Sequence, residues 1–194
     1  MIRFRTVNRI HNLLCSSGWW ARSVEKELLP WGLKGIDLGD DALEIGPGFG
    51  ATSRVLVGRP GKLSILELEE DYCEHLRAEL GDQAEVVQGD ATQMPFEDGR
   101  FSGAACFTML HHIPSPELQD QLFREVFRVL RPGGVFAGTD SLPRGLGFRL
   151  IHIGDTLVLV DPDGLPARLA AAGFEEARVS TGSKSFRFSA SKPG

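Results

Sequence analysis

The chain has 194 residues, 21 Lys+Arg against 26 Asp+Glu for a formal net charge of −5, 42% hydrophobic residues and 24% charged ones. That apolar fraction can offset the entropy of ordering a chain, which excludes a disordered tail. The mild acidity argues against a dedicated nucleic-acid binder, which needs a basic surface, and no stretch approaches the roughly 20 apolar residues of a membrane span. Cys15, Cys73 and Cys106 are too few and scattered for a disulfide framework, and no Cys/His group has zinc spacing, so no metal is expected. The thiol left free by an odd count fits a reducing cytoplasm. The opening MIRFRTVNRIHN is basic but lacks the continuous apolar run of a secretory signal; a transit peptide would share its basic, acid-poor character.

Residues 1–35 are expected to be helical. Val7, Ile10, Leu13 and Leu14 share one face, and Ser16-Ser17-Gly18 interrupts the run. Trp20, Val24 and Leu28 then recur every four residues until Pro30, which should end the segment. From Asp41 the pattern changes to short apolar runs alternating with helical periods. The runs predict strands over Ala42–Ile45, Lys62–Glu67, Glu85–Gln88, Phe101–Phe107 and Gly134–Thr139. Helices are predicted near Ala51–Val57, over Asp71–Leu80 with Tyr72, Leu76 and Leu80 on one stripe, and over Pro116–Leu130. Ser115 should cap the last of these, and Gly133-Gly134 should stop it. The segment LPRGLGFRLIHIG after Ser141 reads as a loop or short helix. A final helix over Asp163–Ala172 precedes a hairpin of Glu175–Thr181 and Ser185–Ala190.

Strands alternating with helices predict an α/β fold with a mostly parallel sheet and right-handed crossovers. Such sheets bind ligands outside the carboxyl ends of their strands, where strand order reverses. After the first strand stands Gly46-Pro47-Gly48-Phe49-Gly50, whose glycines permit a tight turn and a close backbone approach. The spacing is GxGxG, not the GxGxxG of dinucleotide sites, and Pro47 removes an amide that a pyrophosphate would use. An uncharged or cationic ligand therefore suits the loop better. Glu67 ends the second strand about twenty positions on, where an acid typically takes ribose hydroxyls. Asp90, after the third strand, could accept from an exocyclic amine, with Leu68, Ala91 and Met94 around the ring. Phe107-Thr108-Met109-Leu110-His111-His112 follows the fourth strand, and Asp140-Ser141 the fifth.

Four segments in register carry a resemblance over about residues 41–141: ALEIGPGFG, ILELEED, VVQGDATQMPFEDGRF, and LHHI followed by FREVFRVLRPGGVF. Together they resemble a class I S-adenosylmethionine-dependent methyltransferase of the small-molecule, type 11-like branch. The resemblance implies a three-layer Rossmann-like α/β fold. Its seven-stranded, mostly parallel sheet would carry helices on both faces, a C-terminal antiparallel hairpin and a short N-terminal helical lid. It also implies a single methyltransferase domain over 1–194, with lid 1–35 and core 36–194. S-adenosyl-L-methionine would be the cofactor, leaving S-adenosyl-L-homocysteine. Glu44, Gly46, Gly48 and Gly50, with Pro47 in the same loop, would line its methionine moiety and ribose edge. Glu67 would take the ribose hydroxyls, Leu68 would touch adenine, Asp90 would bond the adenine amine and Ala91 would contribute backbone. Phe107 and Thr108 would lie near the methionyl amine and carboxylate. Ser102 stands where the family often has Asp.

The partner expected is a small-molecule methyl acceptor, with no nucleic acid and no membrane insertion. There is no Asn/Asp-Pro-Pro-aromatic tetrad after the fourth strand, and no Pro-Cys pair. Trp19 and Trp20 in the lid suggest an apolar or aromatic acceptor, methylated at a hydroxyl or carbon. Arg3, Arg5 and Arg9 could meet an anionic one. His111 and His112 are the candidate general bases, with an ordinary pKa near 6.5; each could instead pack structurally. His152 is a weaker candidate. Two alternatives remain: a cofactor-binding protein without catalysis, and an NAD(P)-dependent oxidoreductase. The second lacks a Tyr-x-x-x-Lys pair, since the one tyrosine, Tyr72, has no such partner.

Overall fold

The computed structural model describes residues 17–142 and 156–194. The first half of the lid, with Arg3, Arg5, Arg9, His11 and Cys15, and most of the post-strand loop, with His152, lie outside them.

Seven strands form one sheet: β1 (Asp41–Ile45), β2 (Lys62–Glu67), β3 (Glu85–Gln88), β4 (Phe101–Phe107), β5 (Leu130–Ser141), β6 (Glu175–Thr181) and β7 (Ser185–Ser191). Their order is β3-β2-β1-β4-β5-β7-β6. The first five pair in parallel, while β7 runs antiparallel to both β5 and β6. The expected C-terminal hairpin is therefore present. Successive strands step outward from β1 to β3 and then return to β4 beside β1. The order reverses between β1 and β4, which opens a crevice at their carboxyl ends.

Side chains of a strand alternate between faces, and the core divides accordingly. Leu43, Ile45, Ala104 and Cys106 pack on one face with α5 (Pro116–Val129) and α6 (Leu165–Ala171). Ala42, Ile65, Ala105 and Phe107 pack on the other, against the N-terminal helices and α4 (Glu70–Leu80). This two-sided burial explains why the strands read as continuous apolar runs. Helix α5 buries Leu122, Phe123, Val126 and Val129 along one stripe, each contributing roughly 1.5–3 kcal/mol. Ser115 caps it as expected, accepting from the Leu118 amide at 3.3 Å, with Pro116 in the first turn.

Three boundaries differ most from the sequence expectation. Pro30 does not end the N-terminal segment. Helix α1 (Gly18–Ser23) runs into a π turn (Val24–Leu28) and then α2 (Leu29–Gly32), which holds Pro30 in its first turn. The Leu29 amide reaches back five residues to Val24 O, and this widened turn lets the helix continue through a residue lacking an N–H. Strand β5 begins at Leu130 rather than Gly134, because Leu130 adopts an extended conformation and pairs with Phe101. The helix expected near Ala51–Val57 is one turn, α3 (Ser53–Leu56). Among the described residues no helix is long and apolar enough to cross a membrane.

Candidate functional site

The tips of β1, β2 and β3 enclose a cleft of about 300 Å³. Its wall begins with the loop after β1, where Gly46 and Gly48 have φ of 63° and 57°. Both values lie in the left-handed region that L side chains rarely adopt. A Cβ on Gly46 would stand 2.9 Å from Met109 Cε, whereas one on Gly48 would meet no protein atom within 4 Å. The loop thus presents bare backbone to the cleft. Gly50 serves packing instead: it is buried, and a Cβ there would stand 2.6 Å from Leu76 Cδ2 of α4. Neither Gly50 nor Pro47 lines the cleft.

Two carboxylates lie beneath and beside this loop. Glu67, at the end of β2, is only 6% exposed. Its Oε2 accepts from the Gly48 amide at 2.9 Å, and its Oε1 from the amides of Leu68 (2.7 Å) and Glu69 (3.2 Å). Burial raises its pKa against those three amides, which lower it. Three accepted bonds leave lone-pair capacity for a further donor, and Glu67 lines the cleft. Glu44 is deeper, 1% exposed, and accepts from Ser53 Oγ at 2.6 Å. Its Oε1 has no partner among the described residues. Burial pushes its carboxyl up to about 7, against hydrogen bonds from Ser53 and Thr52. Glu44 does not line the cleft; it braces the start of α3 under the loop.

The far wall combines Asp90, Ala91 and the half-exposed Leu68. One Asp90 oxygen accepts from both the amide and the hydroxyl of Thr92 at 2.8 Å, an arrangement that fixes the carboxylate at the cleft's edge. Met94, expected beside a bound ring, is buried in the core under this wall and does not line the cleft. Residues the sequence reading did not assign complete the site: Tyr72, Met109, Ile113 and Leu118 among them. Tyr72 was expected on the buried stripe of α4. It lies in the first turn, half-buried, edge-on to Phe49 at 4.8 Å, and faces the cleft. Its place directly after the acidic step was the available signal.

The loop after β4 separates this cleft from a second, larger groove of about 850 Å³. Met109 lines the cleft and Thr108 lines the groove. Thr108 has φ of 52°, a strained conformation for a β-branched residue. Its amide donates to Thr139 O at 2.8 Å. Phe107 is buried at the end of β4 and packs near Gly32.

The two candidate bases part company here. His111 is 2% exposed and lines neither cavity. Its Nδ1 meets the Asp140 carboxylate, which also accepts from the His111 amide at 3.0 Å and the Ser141 amide at 2.6 Å. Asp140, at the end of β5, is 1% exposed. This buried pair ties the loop after β4 to the tip of β5. The sequence placed Asp140 at a strand end but could not pair it, because its partner lies 29 positions away. His112 lines the cleft, with its ring 4.1 Å from that of His111 and Nδ1 3.3 Å from Thr156 O.

Strand order, glycine loop and tip carboxylate together define a Rossmann-like cofactor-binding domain. A family profile described as a methyltransferase domain matches residues 43–138, from within β1 to within β5. Residues 43–138 thus form a methyltransferase domain of the class I S-adenosylmethionine-dependent type. The chain is 37% identical over 111 residues to a fatty-acid O-methyltransferase of Mycolicibacterium smegmatis, covering 55% of this chain and 39% of that protein. It is 30% identical over 135 residues to sterol methyltransferase-like 3 of Botryococcus braunii, covering 64% of this chain and 34% of that protein. The chain thus spans little more than a third of the length of these relatives. A similar solved structure is Haemonchus contortus phosphoethanolamine N-methyltransferase 2 in complex with S-adenosyl-L-methionine. Its TM-score is 0.72 at 15% identity, covering 97% of this chain and 61% of that one, a likeness of fold.

Proposed function

We propose that the chain transfers a methyl group from S-adenosyl-L-methionine to a small molecule with an apolar or aromatic body, at a hydroxyl or carbon. The observation that carries this reading is Glu67, held at the tip of β2 by the Gly48 amide and facing the cleft. The residues present fit the cofactor. Bare backbone at Gly46 and Gly48 makes room for its chain, Glu67 retains capacity for ribose hydroxyls, and Leu68 and Ala91 offer apolar walls to a purine. Among the described residues, the charged ones lining the cleft are the acids Glu67 and Asp90, which suit a cationic ligand and oppose a diphosphate. The same point disfavours a nicotinamide dinucleotide.

When bound, the cofactor supplies an electrophilic methyl on a sulfonium. The chain's part is then to orient: Glu67 and Asp90 would hold the nucleoside end, and Met109, in the loop after β4, would wall the cleft beside it. Positioning of this kind can supply most of a displacement's rate. His112 is the histidine with access to the cleft and the better placed to handle a proton there. His111, buried against Asp140, acts on this reading as a positioning residue for the wall.

Calorimetry with S-adenosylmethionine and S-adenosylhomocysteine tests the proposal. Micromolar binding of both, weakened by Asp90→Ala and by Glu67→Ala, is the expected result. No heat at millimolar ligand would end it. Tight cofactor binding with no labelled product from any metabolite extract would favour the non-catalytic alternative.

A further inference from the structure

The larger groove differs in chemistry from the cleft it adjoins. One side is the N-terminal helix, where Trp19, Arg22 and Lys26 line the groove. Arg22 and Lys26 are four residues apart, one above the other on a helix face. The other side is the β6–β7 hairpin turn, which contributes Lys184. Against these three cations stands, among the described residues, one acidic lining residue, Glu27. The surplus of positive charge occurs in a chain whose net charge is −5. Among the described residues, Arg22, Lys26 and Lys184 take part in no ion pair.

The aromatic wall is built in advance. Trp31 lines the groove, and the Arg187 guanidinium lies 5.9 Å from its ring centre while donating to its carbonyl at 2.9 Å. A Cβ on Gly182 of the hairpin would stand 3.3 Å from the Trp31 ring, so helix and hairpin fix it from two sides. The floor is polar: Thr108 and Ser141 stand at the tips of β4 and β5. Thr108 is also next in sequence to Met109 of the cleft wall.

We propose that this groove binds the methyl acceptor as an anion, a carboxylate on an apolar or aromatic body. The cations at its rim take the charge, and Trp31 with Trp20 takes the body. The large flat side chains suit the apolar body, and the unpaired cations facing the same space suit its charge, which a neutral hydrocarbon lacks and which in an amine they would repel. Naming the bound molecule an acceptor rests on the methyl-transfer reading; its binding does not.

The test therefore leaves the cofactor out. The full chain is titrated, with its tryptophan fluorescence as readout, using two matched series. These are 3-phenylpropanoate, 3-phenylpropan-1-ol and 3-phenylpropylamine, and then octanoate, octan-1-ol and octylamine. At least one carboxylate should bind about tenfold tighter than its alcohol, with the amine weakest. Lys184→Glu, and separately Arg22→Glu with Lys26→Glu, should erase most of that ratio while leaving S-adenosylhomocysteine affinity unchanged by calorimetry. An alcohol bound as tightly as its acid, or no binding of either acid at millimolar concentration, overturns the proposal. A charge preference in a chain that ignores S-adenosylhomocysteine would sink the methyl-transfer reading and leave the anion site standing.

Discussion

The cleft and the groove meet at the loop after β4 and are built in opposite ways. The cleft is made of strand tips and the loops leaving them, its charged walls are acids, and its glycines expose backbone. The groove is made where a helix meets a distant hairpin, its rim is cationic, and its body is tryptophan. The cleft owes its shape to the sheet, so its residues appear in sequence at strand ends. The groove owes its shape to packing between segments some 150 residues apart, as the Trp31–Arg187 contact illustrates. A scaffold of this kind can keep one binding face constant while the other varies with the segments that cover it.

The wall between them is the most sensitive point. Asp140→Ala would take the shared acceptor from the His111 ring, the buried His111 amide and the part-buried Ser141 amide. Leaving donors of this kind without a partner costs about 1–3 kcal/mol each, so thermal unfolding should show a melting temperature roughly 10 °C lower. Both cavities should lose affinity together. A variant that melts with the parent would mean the pair does not hold the wall.

Glu67→Ala should separate the two regions. It removes charge-assisted bonds worth about 1.5–3 kcal/mol each, and S-adenosylhomocysteine should bind about a hundredfold more weakly. The carboxylate titration of the groove should not change. Loss of both would show that the regions are coupled.

The stability of the cleft should also depend on pH through Glu44. Its folded pKa of about 7 lies above its ordinary value of 4.5. Between those values the folded chain binds more protons than the unfolded one, so stability falls as pH rises. The contribution is complete below about pH 4.5 and is lost as pH passes about 7, a change of roughly 3 kcal/mol. Glu67 is shifted in the same direction and adds to the slope. Glu44→Gln should flatten much of the decline in denaturant midpoints measured across that range. An unchanged slope would assign it elsewhere. Smallest of all, Leu68→Ala, at a side chain 48% exposed, should weaken S-adenosylhomocysteine by only about fivefold, since part of its surface already faces water.

Much of the cleft was legible in the residues. Gly46, Gly48, Glu67, Leu68, Asp90 and Ala91 all line it, because a parallel sheet delivers its strand ends to one edge. Glu44, in the strand before the loop, and Gly50, within it, were legible as neighbours of the site but not as support, since burial beneath a turn leaves no periodic mark. Tyr72 was read as core because the stripe it shares with Leu76 and Leu80 is real; only its position in the first turn of α4 turns it to the cleft. The His111–Asp140 pair needed two strand ends brought side by side.

Local pattern alone determined the alternation of strands and helices, the buried faces and the order of the ligand-facing loops. It could do so because periodicity and glycine placement act over a few residues. Tertiary packing decided which side chains at those loops face the cavity and which prop it up. It also carried the N-terminal helix past Pro30 through a wide turn, and set three cations and a fixed tryptophan around one groove. Those outcomes depend on contacts between residues far apart in the chain, for which sequence spacing carries no signal.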